Sequence, residues 1–127
     1  MSDPSKTGQI MSDEPRPLDE EEREELDWLI ESGAAMLVDW GLMPQDPTDA
    51  EQLHAAVLQA IAEKHIQAEN IDDAAFALGA VWGDALCAAE GLEWVALEDG
   101  HALAPAKKKS KAPPRRVFEE LRALMLA

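Results

Sequence analysis

Three histidines, one cysteine and five serines are the side chains of this 127-residue chain best suited to ligation or nucleophilic chemistry. His54 and His65 lie eleven residues apart on one predicted helix. At the helical rise that separates them by roughly 16 Å, too far to share a metal ion. His101 has no cysteine or histidine near it in sequence, and none of the spacings that assemble a metal site is present. Cys87 is the single cysteine, so there is no internal disulfide; placed in an apolar helical run, it reads as a small buried hydrophobe. The serines fall at positions 2, 5, 12, 32 and 110, none of them in a nucleophile elbow. Gly79 and Gly83 are four apart in a helical context with no lysine following, which is not a phosphate loop. Asp84 and Glu90, six apart on a helix, point in different directions and read as solvated acids. No catalytic residue, metal or cofactor is therefore expected.

Charge is the more informative chemistry. Residues 1–104 hold 24 Asp and Glu against four Lys and Arg, a net of −20, while residues 105–127 carry +5. Such a body repels phosphate backbones and anionic lipid and attracts basic proteins at low salt. The expected partner is a basic protein, with no nucleic acid and no membrane. The acids singled out for contact are Glu20, Glu21, Glu24 and Glu25 in the run Asp19 to Asp27, with Asp84, Glu93 and Asp99 further on. No stretch reaches the ~18 to 20 apolar residues of a membrane span, and the first residues lack a signal-peptide core, so a cytoplasmic location is expected. The sequence does not fix an oligomeric state.

The elements that must carry these groups follow from periodicity and punctuation. Residues 1–17 are polar, hold three prolines and read as a disordered tail; residues 18–127 read as a single domain. Asp19 and Glu22 resemble a capping box, and Leu26, Leu29, Ile30, Gly33, Leu37 and Trp40 form one helical face that stops at Gly41. A second helix starts from Thr48, with Glu51 completing its box, and buries Leu53, Ala56, Val57, Ala60 and Ile61. The third, from about Asp73 to Ala89, is apolar nearly all round and so belongs at the centre. Gly79 and Gly83 lie on one side of it, which points to close approach of another backbone, or of a ligand. After Gly91, Leu92 to Glu98 alternates, with Trp94 and Ala96 opposite Val95 and Leu97. Asp99-Gly100 is the dipeptide of a two-residue hairpin turn. A mobile basic loop at about 105–113, holding Lys107 to Lys111, leads past Pro114 into a last amphipathic helix with Val117, Phe118, Leu121, Leu124 and Met125 on its apolar side. The fold class is α+β: mostly helical, three to four helices with a small antiparallel hairpin and a C-terminal docking helix.

Gly79, Gly83 and Asp84, followed by Gly91, Glu93, Trp94 and Val95, form a pattern that resembles a widespread bacterial domain, the domain of unknown function 3806 family. The run Pro114 to Leu121 is similar to that family's closing proline-then-helix segment, and the likeness covers roughly residues 70 to 124. Asp84 stands where glutamate is more usual, and the lysine-rich stretch departs from the pattern. The resemblance implies an α+β domain whose glycine-bearing helix leads into a short sheet, and it implies no settled activity. By analogy, some such small proteins are immunity partners of secreted toxins. The reading is a non-catalytic acidic binding protein, concretely an immunity protein that captures a basic toxin or effector. The alternative is a small-molecule or enzymatic domain using a groove beside Gly79 and Gly83.

Overall fold

A capping box opens the first helix, as the sequence predicts. In the computed structural model, which describes residues 15–97, 100–105 and 114–127, the Asp19 carboxylate accepts from the Glu22 amide at 2.8 Å, and Glu22 accepts from the Asp19 amide at 2.9 Å. Helix α1 then runs Glu20–Asp39 and buries Leu26, Gly33 and Leu37. Gly41, at φ +71°, terminates it, with the Leu42 amide bonding back to the Leu37 carbonyl.

Helix α2 is Ala50–Ala62 and is capped by Asp49, not by Thr48. The Thr48 hydroxyl is already committed to Asp46 at 2.6 Å, which leaves Asp49 to accept from the Glu51 and Gln52 amides. Leu53, Ala56, Val57 and Ala60 are buried as expected. His65 lies beyond the helix end, so the two histidines do not share α2.

Helix α3, Ile71–Glu90, is the axis of the fold: α1, α2, α4 and the sheet all pack against it. Eleven of its residues are buried, though Phe76 is not among them. Gly91, at φ +65°, closes it and turns the chain into the sheet.

The sheet has three antiparallel strands in the order β1–β2–β3, where β1 is Arg16–Pro17, β2 is Leu92–Leu97 and β3 is Gly100–Pro105. Arg16 and Pro17, assigned by sequence to the disordered tail, pair with Ala96 and Val95 at the edge of β2. Gly100 is itself a strand residue paired with Leu97, so it is not a central residue of the turn. The alternation of β2 holds: Trp94 and Ala96 pack on the helices, while Val95 and Leu97 join Ala102 on the other face. Arg115 adds a single bridge to Leu103, with N···O distances of 2.7 and 2.9 Å. That pairing delays the last helix, α4, to Val117–Leu126, three residues after the proline expected at its start. Val117 and Leu121 of α4 are fully buried. Residues 1–14 of the expected tail, the Lys107–Lys111 loop and Asp99 lie outside the described residues.

Helices α1 and α3 approach closely at Gly33. A Cβ there would overlap the Ala77 carbonyl oxygen of α3 and come within 2.6 Å of Val81. The close backbone approach expected at Gly79 and Gly83 is found at Gly79, where the Phe118 Cα of α4 lies 3.4 Å from the Cβ position, and not at Gly83, which meets side chains alone. Gly79 and Gly83 make room for rings: a Cβ at either would meet Phe118 or Trp94 at 2.6 Å. The space directly beside these two glycines is thus filled by the protein's own aromatic side chains.

Candidate functional site

The acids of α1 divide by their place on the helix. Asp19 and Glu22 are structural. Glu22 caps the helix and also receives both terminal nitrogens of Arg16, at 2.8 and 2.9 Å. The Arg16 bonds foremost, then the Asp19 amide, hold its carboxyl down at about 2. Glu20, Glu21, Glu24 and Glu25 are exposed, and among the described residues no cation pairs with them.

At about 100° per residue, Glu21 and Glu25 share a flank of α1 with Trp28, Ser32 and Met36, while Glu24 points outward and Glu20 sits on the opposite flank with Arg23. The first flank borders an open groove of about 520 Å³ between α1 and α3. Trp28, Leu29 and Met36 line it from α1, and Phe76 and Ala77 from α3; Glu25 and Asp73 stand at its rim. Trp28 is 65% exposed and Phe76 50% exposed, two large aromatics with half or more of their surface in water. Sequence reasoning missed both. Trp28 lies off the apolar stripe, between Asp27 and Leu29, and Phe76 was counted into an all-round buried helix. The available signal was a tryptophan outside the stripe and surrounded by acids.

The remaining predicted acids lie elsewhere. Asp84 and Glu93 are exposed and border a smaller depression with Arg23, Pro17, Cys87 and Trp94. The structure therefore brings Asp84 and Glu93 together, but not with Glu21 and Glu25. Burial, and then the charges of Asp84 and Glu93, push the Cys87 thiol up to about 11, so it stays protonated and a poor nucleophile at neutral pH.

The histidines are dispersed. His65 stacks on Trp40 with ring centroids 5.2 Å apart, and its Nε2 lies 3.2 Å from Glu63. His54 tilts against Trp82 at 5.2 Å, and His101 sits on β3 opposite Ala96. Among the described residues no three His, Cys, Asp or Glu side chains gather to hold a metal ion. A second cleft, of about 680 Å³, lies between the start of α2 and the end of α3. Its cation is already engaged: Arg115 covers the Trp82 ring at 5.1 Å and makes bonds of 2.9 and 3.1 Å to Glu120.

Fold and surface together define a small, mostly helical α+β domain with an acidic, partly apolar face. Residues 54–111 match the family model described as Domain of unknown function (DUF3806), the family that the Gly79-to-Val95 pattern resembles. The match takes in most of α2, all of α3 and the hairpin; α1, β1 and the Pro114-to-Leu121 segment fall outside it. No curated protein and no solved structure matches the chain. Among the described residues no helix is long and apolar enough to cross a membrane.

Proposed function

We propose that this protein is a non-catalytic, cytoplasmic binding protein whose acidic face captures a basic protein. In its most concrete form it is a bacterial immunity protein that neutralises a basic toxin or effector. The observation that carries this reading is the exposed set Glu20, Glu21, Glu24 and Glu25, without cationic partners among the described residues, on a chain of net charge −15. Carboxylates that neither cap a helix nor pair internally contribute long-range attraction and little fold stability. Their field accelerates encounter with a positive surface and is screened over roughly 10 Å at 0.1 M salt.

The test is kinetic. The basic partner is recovered by pull-down from the native cell, and its association rate is measured across ionic strength for the wild type and for a variant with all four glutamates changed to glutamine. The expected outcome is a rate that falls by about tenfold or more from low to high salt in the wild type, with a flatter slope in the variant. A rate indifferent to salt and to the four changes defeats the proposal.

A further inference from the structure

We infer that the groove between α1 and α3 is the seat of a basic amphipathic helix supplied by the partner. This deepens the acidic-binding reading and rests on it, adding where contact occurs and what segment makes it.

The groove has helical dimensions. From Glu25 to Met36 it follows α1 for eleven residues, roughly 16 Å, or about three turns. Its middle is lined by the small residues Ser32 and Ala77, which let a cylinder come close. Trp28 and Phe76 stand as walls that are half or more exposed, and Met36 is an unbranched side chain that adapts to an incoming surface. An extended peptide has little to gain here, because the groove lies between two helices whose backbone donors and acceptors are satisfied within each helix. A helix arrives with its own backbone satisfied and needs only an apolar stripe to match Trp28, Leu29, Met36 and Phe76.

Charge selects the occupant. Glu25 and Asp73 sit at the rim, and no Lys or Arg is among the described residues lining the groove. Asp72, the neighbour of Asp73, is tied to Arg122 at 2.8 Å, whereas no cation among the described residues engages Asp73. A second copy of this chain would oppose acid to acid, so a self-dimer through this face is disfavoured. A helix with lysine or arginine flanking its apolar stripe matches both the walls and the rim.

The probe is a synthetic helical peptide of about 18 residues, with leucine at the i, i+3, i+4, i+7 spacing and lysine elsewhere. A scrambled peptide of identical composition is the control, and binding to the full chain is measured by titration calorimetry. The expected result is saturable binding to the patterned peptide, weakened about tenfold or more by scrambling, by Trp28→Ala, or by Glu25→Lys with Asp73→Lys. Trp28 is mostly exposed, so its replacement leaves the fold intact, and a thermal melt verifies this. Equal binding of both peptides, or indifference to Trp28→Ala, overturns the inference; so does a concentration-dependent dimer abolished by Trp28→Lys. The two levels separate cleanly: if salt-dependent capture of the native partner survives Trp28→Ala unchanged, the groove assignment fails and the acidic-binding reading stands.

Discussion

Helix α3 has two differently finished sides. Beside Gly79 and Gly83 the chain supplies its own filling: Phe118 and Trp94 pack where side chains would otherwise stand, with ring centroids 5.7 Å apart. Along the groove shared with α1, Trp28 and Phe76 stay exposed behind an acidic rim. Both sides are rich in aromatic surface. The filled side uses it for cohesion, and the open side leaves part of it in water, although Phe76 also packs on Phe118 with ring centroids 5.5 Å apart. The difference separates Trp94 and Phe118, packed against the core, from Trp28, most of which lies in water, with Phe76 bridging the two.

The contrast can be broken most severely where α1 and α3 touch. Gly33→Ala pushes a methyl into the Ala77 carbonyl, and backbone cannot rotate aside as a side chain can. Despite about 1 kcal/mol of gain in helix propensity, a net loss of about 3 kcal/mol is expected in a urea melt. Gly83→Ala tests the filled side. Its methyl meets the edge of the Trp94 ring, which can shift, so a smaller loss of about 2 kcal/mol is expected. Pairing it with Trp94→Leu should recover part of that loss, and a double-mutant cycle measures the coupling.

Weaker effects sharpen the same contrast. Arg16 and Glu22 clip β1 to the start of α1, next to the filled side. The Glu22 carboxyl titrates at about 2 in the folded protein against an ordinary 4.5. Because its folded value is depressed, the stabilisation it gives is present above about pH 4.5 and is lost as pH falls towards 2. Arg16→Ala should therefore lower Tm at pH 7, and the difference from wild type should close across that window. A carboxyl NMR titration should show Glu22 returning towards its ordinary value. The smallest change in stability belongs to Trp28→Ala, within about 0.5 kcal/mol by denaturant melt, since the side chain is 65% exposed. A loss comparable to Gly83→Ala would mean that the open side supports the fold after all.

Local grammar made much of this architecture readable. Asp19 with Glu22, Gly41 and Gly91 each satisfy or end a helix through bonds between near neighbours, so their roles are visible in a short window. The alternation of Trp94 and Ala96 against Val95 and Leu97 is equally local. What escaped depends on distant parts of the chain. Strand β1 is two residues long and one is proline; it exists because β2 offers an open edge at Val95 and Ala96. At the start of α2, Thr48 and Asp49 are both good caps, and a bond to Asp46 decides between them. The exposure of Trp28 and Phe76 follows from how α1 crosses α3, which periodicity along one helix does not encode. Of the acids proposed for contact, Glu25 lines the groove and Glu21 shares its flank; Asp84 and Glu93 lie beside Cys87, because linear distance says nothing about which flank of α1 a residue from α3 or β2 will meet.

Ala77 occupies both worlds. Its carbonyl abuts Gly33 where the two helices come close, while the same residue forms part of the groove surface. The gauge of the cleft is therefore tied to a contact between backbones that leaves no room for a methyl group. Rim and wall side chains such as Glu25, Trp28 and Asp73 can be exchanged without touching that contact, whereas any widening must first prise apart the central helix pair.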